Sequence, residues 1–522
     1  MTWDVSLYLV TDSRPEILGD QTLEAAVFYA LQGGVTIVQY REKDKDTGEM
    51  IEMAERLHVL TRAHNVPLII NDRIDVALAV GAEGVHIGQD DMDVETAKKL
   101  LPKGSIIGVT VSSAEEAKKA IEDGADYLGI GTVYATSTKT NTKSIIGPGG
   151  VRDILNHIES FPVDIATVAI GGITLDNVQR VIFQAQTSNK GLHGVAIVSA
   201  IMGAKDPKAA TLEFKKRIGE APPFVTYPPS QVMPNDATEL LRASPAVIAK
   251  VAREHPLSHC MINFVVANFA ANALLCIGAS PIMAGYGLEA VDLAKNGGGL
   301  LINMGTLNET AVDHYLQAMT AYNELGNPIV FDPVGAAATK VRQDATKRLL
   351  AGGYFDLIKG NESELKFIYG RESGKQVGVD SGPSTLGHKE KAAMVKAMAA
   401  RERNLVLMTG PTDYLSDGTR TISISNGCSL LGQVTGTGCI TGAISAACLA
   451  VHKEDKFLAV LSGMLMLELA AEKAVAKEHV RGPGSFIPAL LDELWAMREM
   501  SLKEDQHGVL LKGAKVAMIT DI

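Results

Sequence analysis

The chain is poor in the features that would make it a nucleic-acid binder, a membrane protein or a disulfide-stapled secreted domain. Positive charge is short. Against 60 Asp and Glu stand 49 Lys and Arg, a net −11, so a nucleic-acid backbone would find cations only where they gather locally. Cysteine is absent until position 260; five follow, at 260, 276, 428, 439 and 448. An odd count without a Cys-x-x-Cys spacing speaks against both a disulfide framework and a structural zinc site. Long apolar runs are missing too. The most apolar stretch, Phe264 to Met283, is broken by Asn268, Asn272 and Pro281, which fits a soluble core and not a bilayer span. The N-terminal stretch MTWDVSLYLVTD has no charged leader before a long apolar core, so no signal peptide is expected. A cytoplasmic, reducing setting is the expectation.

What is present is glycine, 50 residues of it, and 46% hydrophobic residues in a chain of 522. That composition suits compact α/β folding, and the length calls for two or more cores. Up to about residue 205, short apolar runs alternate with helix-like stretches. Strand candidates are Leu7–Thr11, Val35–Arg41, Pro67–Asn71, Gly84–Ile87, Ile106–Val111, Tyr127–Gly131, Ile165–Ile170 and Gly194–Ser199. Eight such units point to a (β/α)8 TIM barrel, with a doubly wound sheet as the alternative.

The second of these runs is the most informative. Side chains alternate along a strand, so Gln39, Arg41 and Lys43 share a face with Val35 and Ile37. Cations turned toward a packed interior require something anionic opposite; a frayed strand end with solvated charges is the plain alternative. Barrel active sites lie at strand C-terminal ends, and polar residues collect there: Asn71-Asp72-Arg73, His86, Gln89-Asp90-Asp91, Thr110, Ser112 and Thr136-Ser137-Thr138-Lys139. Asp72 and Asp91 are a plausible magnesium pair, although a lone Asp more often caps a helix. Gly171-Gly172 and Ser199 occupy the phosphate-cradling position of many barrels, although a Gly pair can be only a tight turn.

The ordered motifs Gln39-Tyr40-Arg41-Glu42-Lys43, Asn71-Asp72-Arg73, Gly84-Val85-His86-Ile87-Gly88-Gln89-Asp90-Asp91, Thr136-Ser137-Thr138-Lys139 and Val198-Ser199-Ala200-Ile201 resemble thiamine phosphate synthase. That family joins a pyrimidine methyl diphosphate to a thiazole phosphate and releases diphosphate. The resemblance implies that Gln39, Arg41, Lys43, Asn71, Thr110 and Lys139 hold the pyrimidine diphosphate. It gives Asp72 and Asp91 to Mg2+, and Thr136, Ser137, Thr138, Gly172, Val198 and Ser199 to the thiazole phosphate. Arg41 and Lys139 would act on the leaving group as a pyrimidine carbocation forms. Thr110 departs from the serine common in the family: it keeps the hydroxyl and adds a methyl.

A proline-dense stretch, Ala221-Pro222-Pro223-Phe224-Val225-Thr226-Tyr227-Pro228-Pro229, cannot be helix interior and reads as a stiff linker. The expected domains are 1–220, a linker 221–237, and 238–522. The last contains further apolar strands at Leu300–Asn303, Pro328–Asp332, Asp356–Ile358 and Asn404–Thr409, as in a sheet covered by helices. Its decisive segment is Gln433-Val434-Thr435-Gly436-Thr437-Gly438-Cys439-Ile440-Thr441-Gly442-Ala443. Small residues lead into a helix whose first amides form an anion hole. Cys439 in the first turn is expected to have a lowered pKa; an inert buried cysteine is the plain alternative. The Gly-Lys-Ser/Thr of a Walker loop is missing.

This half resembles hydroxyethylthiazole kinase, of the ribokinase-like superfamily. Further matches are His259-Cys260-Met261-Ile262-Asn263, Gly278-Ala279-Ser280-Pro281-Ile282-Met283, Asn303-Met304-Gly305-Thr306-Leu307 and Gly482-Pro483-Gly484-Ser485-Phe486. The resemblance implies that Met283 and Gly436 contact the thiazole alcohol and that Lys359 and Thr409 contact ATP. Cys439 stands at the catalytic-base position. Asp332 and Glu364 can organise magnesium directly or through water. Lys359 departs from the arginine of bacterial relatives, keeping charge but losing the bidentate fork.

Together the halves imply a bifunctional thiamine-biosynthesis enzyme: the C-terminal half phosphorylates hydroxyethylthiazole with ATP, and the N-terminal half condenses the product. Its partners would be these small molecules, with no nucleic acid and no membrane. Resemblance also implies a homo-oligomer, a trimer or a dimer of trimers. A non-catalytic sensor of thiamine precursors would need a broken catalytic set, yet Asp72, Asp91, Lys139, Asp332 and Cys439 are all present.

Overall fold

The computed structural model describes residues 3–136, 138, 144–225, 233–308, 310–370, 384 and 386–522. It divides into two compact units, Met1–Pro222 and Pro223–Ile522.

In the first unit eight parallel strands close into a barrel. They are β1 (Leu7–Val10), β2 (Ile37–Tyr40), β3 (Leu68–Asn71), β4 (Gly84–Ile87), β5 (Ile106–Val111), β6 (Tyr127–Ile130), β7 (Ala166–Ile170) and β8 (Gly194–Ile197). β8 pairs back onto β1 through Leu7–Val195 and Leu9–Ile197. The doubly wound alternative is thereby excluded. Every expected strand forms, most of them one to three residues shorter than the apolar run suggested. Alternation sends Tyr8, Val10, Ile37, Ile69, Ile106, Tyr127, Ala166, Val168 and Ala196 to one interior cluster. The intervening Leu9, Val38 and Ile70 are buried as well, because helices cover the outside of a parallel barrel. Some of those helices start where a short polar side chain supplies the missing acceptor, as Ser113 does for Ala114–Glu122 and Asp206 for Pro207–Gly219.

The second unit is built on one nine-stranded sheet. Its strands are β9 (Leu257–Met261), β10 (Ser280–Ile282), β11 (Gly299–Asn303), β12 (Ile329–Asp332), β13 (Leu357–Asn361), β14 (Leu405–Thr409), β15 (Asp413–Ser416), β16 (Thr421–Ile424) and β17 (Val516–Met518). The order is β10-β9-β11-β12-β13-β14-β15-β16-β17. β10 to β14 run parallel, and β15 to β17 extend the sheet as an antiparallel meander. One apolar layer packs the helices Ala237–Glu254, Thr437–Val451, Lys456–Val475 and Pro483–Ser501 on one face. A second layer around Met319, Tyr322, Phe331 and Met398 fills the other. Helix Lys456–Val475 is apolar on nearly all sides because it is enclosed by other helices. Among the described residues no helix is long and apolar enough to cross a membrane.

Candidate active sites

At the barrel mouth, β2 ends at Tyr40, so only Gln39 of the three expected polar residues points into the interior, where it is 3% exposed. Arg41 is half-buried and Lys43 is exposed, both beyond the strand. This corrects the expectation of two cations facing a packed core and matches the frayed-end alternative: the strand stops first, and the cations reach the rim. Glu42 shapes their turn. Its Oε2 accepts from Ser13 Oγ (2.6 Å), and its Oε1 accepts from the amides of Lys43 (2.9 Å) and Asp44 (3.2 Å). The Arg41 amide is pinned to Thr11 Oγ1 at 3.0 Å.

The acidic pair assembles from the ends of β3 and β4. Asp72 has φ 61°, a left-handed conformation that costs a non-glycine residue about 1–2 kcal/mol. There it forms an ion pair with Lys43 and accepts from Asn71 Nδ2 at 2.8 Å. Asp91 accepts the Gly88 amide at 2.8 Å. Its carboxyl is held above the usual range, first by desolvation and then by hydrogen-bonding contact with the Asp72 carboxylate. One or two protein carboxylates completed by phosphate and water oxygens are what Mg2+ takes, so Asp72 and Asp91 fit it as a pair, while no group of three or more His, Cys, Asp or Glu that could hold a metal stands together among the described residues.

Across the mouth, Gly171 and Gly172 have φ 106° and 65°, and a Cβ on either would lie 2.4 Å from Thr132 Cγ2 or 2.8 Å from Tyr134 Cβ. Backbone must approach here, so glycine is required. Asn177 fixes the turn, its Nδ2 donating to Gly172 O (3.0 Å) and its Oδ1 accepting the Thr174 amide (2.9 Å). Val198 and Ser199 open the short helix Ser199–Met202 after β8. Thr136 and Thr138 hydroxyls lie 2.9 Å apart. Ser137 and Lys139 lie outside the described residues.

Beneath the mouth runs a chain of polar contacts of which the sequence flagged only the ends and His86. Gln39 Nε2 donates to Tyr8 Oη (2.9 Å), Tyr8 Oη meets Tyr127 Oη (2.7 Å), Tyr127 Oη meets His86 Nδ1 (2.9 Å), and His86 Nε2 meets Thr110 Oγ1 (2.8 Å). Burial holds both phenols above their ordinary pKa, so they keep their protons.

In the second unit the site gathers at the C-terminal ends of the parallel strands. Gly436 precedes helix Thr437–Val451 with φ 96°, and a Cβ there would lie 2.6 Å from Val266 Cγ2. Cys439, in the first turn, receives Asn303 Nδ2 at 3.2 Å and Asn263 Nδ2 at 3.6 Å. Asn303 also donates to Asp332 Oδ2 (2.8 Å), while Lys359 Nζ donates to Asp332 Oδ1 (3.1 Å). The Cys439 thiol is pushed up to about 11, by burial first and the Asp332 charge second; Lys359 and the two amides pull the other way. The expected lowering is therefore overturned. A helix N-terminus favours thiolate only where desolvation does not cost more.

Glu364 departs from a bare metal ligand. Its Oε1 accepts the Gly335 amide (2.8 Å) and its Oε2 accepts the Asn361 amide (2.8 Å), closing a capping box on helix Glu362–Tyr369. Burial, then Asp332, raises its carboxyl to about 7. Arg342, which the sequence did not single out, donates to Met304 O (2.6 Å), Val334 O (2.7 Å) and Gly305 O (3.0 Å). It thus ties together the loops after β11 and β12. Thr409 ends β14, with Oγ1 3.4 Å from Gly360 O. Met283 follows β10 and packs half-buried against the helical layer.

The pattern of the Thiamine monophosphate synthase family matches residues 7–201, and that of the Hydroxyethylthiazole kinase family matches residues 248–500. A Schizosaccharomyces pombe protein named as a probable thiamine biosynthetic bifunctional enzyme is 41% identical over 507 residues, 96% of each chain. The Saccharomyces cerevisiae thiamine biosynthetic bifunctional enzyme is 36% identical over 523 residues, covering 95% of each. The thiamine-phosphate synthase of Chloroflexus aurantiacus is 44% identical over 212 residues, 41% of this chain and 92% of its own. Two halves matched separately, in the order in which the fungal proteins match end to end, leave one assignment: the chain belongs to the family of thiamine biosynthetic bifunctional enzymes, a thiamine-phosphate synthase followed by a hydroxyethylthiazole kinase.

Proposed function

We propose that residues 238–522 transfer the γ-phosphoryl group of ATP to the hydroxyl of hydroxyethylthiazole, and that residues 1–220 join the resulting phosphate to aminomethylpyrimidine methyl diphosphate. The observation that carries the second step is the ion pair of Asp72 with Lys43 at the barrel mouth, with Asp91, its carboxyl raised by burial and by Asp72, beside it. Mg2+ bound there supplies positive charge to the departing diphosphate. Arg41, Lys43 and Lys139 are the residues assigned to the same developing charge, and Gln39 and Asn71 to the pyrimidine. Thr110 offers its hydroxyl to the same substrate. Diphosphate leaves with the bonding electron pair; the aminopyrimidine stabilises the carbocation, and the thiazole nitrogen attacks it. Gly172, Val198 and Ser199 offer backbone and hydroxyl donors to the thiazole phosphate, and Thr136, Ser137 and Thr138 are assigned to the same substrate.

In the kinase half, Met283 and Gly436 contact the thiazole alcohol, the amides that follow Gly436 cradle the transferred phosphoryl group, and Lys359 and Thr409 hold ATP. A protonated Cys439 thiol is a poor resting base, so the anion hole and charge neutralisation carry more of the rate than proton removal. With both Glu364 oxygens taken by amides and Asp332 held by Lys359 and Asn303, these two carboxylates would hold Mg2+ through water, where it would neutralise charge on the ATP phosphates. Exposed Phe264, Val265, Tyr286 and Leu288 follow neighbouring β9 and β10; they support association of copies of the chain, for which the family resemblance implies a trimer or a dimer of trimers. Five free cysteines support a cytoplasmic setting.

The test supplies purified chain with thiazole alcohol, ATP, Mg2+ and pyrimidine diphosphate. Thiamine phosphate is the expected product, and thiazole phosphate replaces the need for ATP. ATP consumption without dependence on the thiazole, or no thiamine phosphate from ready-made thiazole phosphate, refutes the assignment of the corresponding half.

A further inference from the structure

The four-bond chain beneath the barrel mouth has a direction, and one end sets it. A carboxamide nitrogen donates and never accepts, so Gln39 Nε2 makes the Tyr8 oxygen an acceptor. If Tyr127 also donated to it, the buried Tyr8 hydroxyl would leave its own proton without an acceptor, so Tyr8 gives that proton to Tyr127, and Tyr127 gives its own to His86 Nδ1. An imidazole that accepts at Nδ1 carries its hydrogen on Nε2, and that hydrogen goes to Thr110 Oγ1. The Thr110 hydroxyl hydrogen is then free to point elsewhere, and Gln39 Oε1 is left to accept.

The fold gives up side chains to seat this chain. A Cβ at Gly108 on β5 would lie 1.9 Å from Tyr127 Cζ, and one at Gly129 on β6 would lie 3.0 Å from His86 Cε1. Glycine weakens a strand, so its presence at both positions under these two rings is a cost borne for them. Tyr8, Tyr127 and His86 are 2%, 0% and 6% exposed, where an unpaired polar group is expensive.

We propose that Tyr8, Tyr127 and His86 are positioning residues, whose ordered hydrogen bonds fix Thr110 as a donor and Gln39 Oε1 as an acceptor toward the substrate at the barrel mouth. This rests on the assignment of Gln39 and Thr110 to the pyrimidine diphosphate. A diphosphate offers only acceptors and an exocyclic amine offers hydrogens, so the two preset ends complement the two halves of such a molecule.

Tyr127→Phe keeps the ring over Gly108 and removes the hydroxyl. In the full chain it is expected to raise the KM for pyrimidine diphosphate about tenfold, with kcat and the KM for thiazole phosphate within about twofold. In a chain already carrying Gln39→Ala and Thr110→Ala the same change adds less than about twofold, because both ends of the relay are gone. An undiminished tenfold effect in that background, or no effect in the wild-type chain, overturns the relay. If Gln39→Ala and Thr110→Ala leave that KM unchanged, the substrate assignment itself fails, and those two variants reveal it before Tyr127 is touched. Should Tyr127→Phe not fold, Tyr8→Phe cuts the chain one bond earlier, and the same comparison is made against Gln39→Ala alone.

Discussion

Iodoacetamide reacts with thiolate and not with thiol, so the rate at which it alkylates Cys439 reports the charge state of the group at the kinase anion hole. Burial and Asp332 raise that thiol from its ordinary 9.0 to about 11. The difference corresponds to about 3 kcal/mol against the charged form, or about a hundredfold less thiolate than an unperturbed cysteine at pH 8. Alkylation is followed by mass spectrometry of the peptide containing Cys439, in the folded chain and in denaturant, from pH 7 upward. The folded rate is expected to be at least about a hundredfold lower at pH 8 and to climb about tenfold per pH unit to beyond pH 10. Restricted access alone would lower the rate at every pH without moving the pH at which it levels off, so the profile separates access from ionisation. Asp332→Asn removes the second cause and moves the levelling-off point down while leaving the burial effect. A plateau below pH 9 in the wild-type chain would refute the reasoning, since a thiolate would then exist at rest and Cys439 could act as a preformed base.

Gly436→Ala places a Cβ 2.6 Å from Val266 Cγ2 at φ 96°; kinase activity is expected to fall at least about tenfold, from about 1–2 kcal/mol of backbone strain plus the overlap, while coupled assays show the synthase unchanged. Asp91→Asn removes the carboxylate whose proton affinity burial and Asp72 raise. The half-saturating Mg2+ concentration of the synthase should rise about tenfold, while the melting temperature in chelator rises, because like-charge contact is relieved; a lower melting temperature contradicts this. Glu364, raised from 4.5 to about 7, binds its proton more tightly folded than unfolded. Its stabilising share is therefore present below about pH 4.5 and lost as pH rises to 7. Relative to Glu364→Gln, the wild-type chain should lose about 3 kcal/mol of unfolding free energy between pH 4.5 and 7.5 in magnesium-free denaturant titrations, and a constant gap refutes it.

The barrel was legible because each of its strands is a β-branched, apolar run followed by enough chain for a helix. Only strand length was overstated, and that overstatement put Arg41 and Lys43 inside when Tyr40 is the last paired residue. In the second unit the parallel strands β11 to β14 were readable for the same reason. The meander β15 to β17 was not: Asp413–Ser416 and Thr421–Ile424 are four residues each and partly polar, and β17 pairs from the far end of the chain. The positions of Gln39, Asp72 and Cys439 could be read from motifs, but their electrostatics could not. A thiol in a first helical turn looks activated until burial and Asp332 are placed around it, and Glu364 looks like a ligand until Gly335 and Asn361 are found on its oxygens. Tyr8 and Tyr127 touch across 119 positions of sequence, a pairing no local pattern announces.

The three carbonyls held by Arg342 belong to two separate loops, so a single planar cation makes those loops one mechanical piece. The segment at Met304 cannot shift without straining the one at Val334, because helix Lys340–Gly352 carries the guanidinium that both share, like the handle of a pair of tongs. An ammonium at that position has no fork with which to grip both.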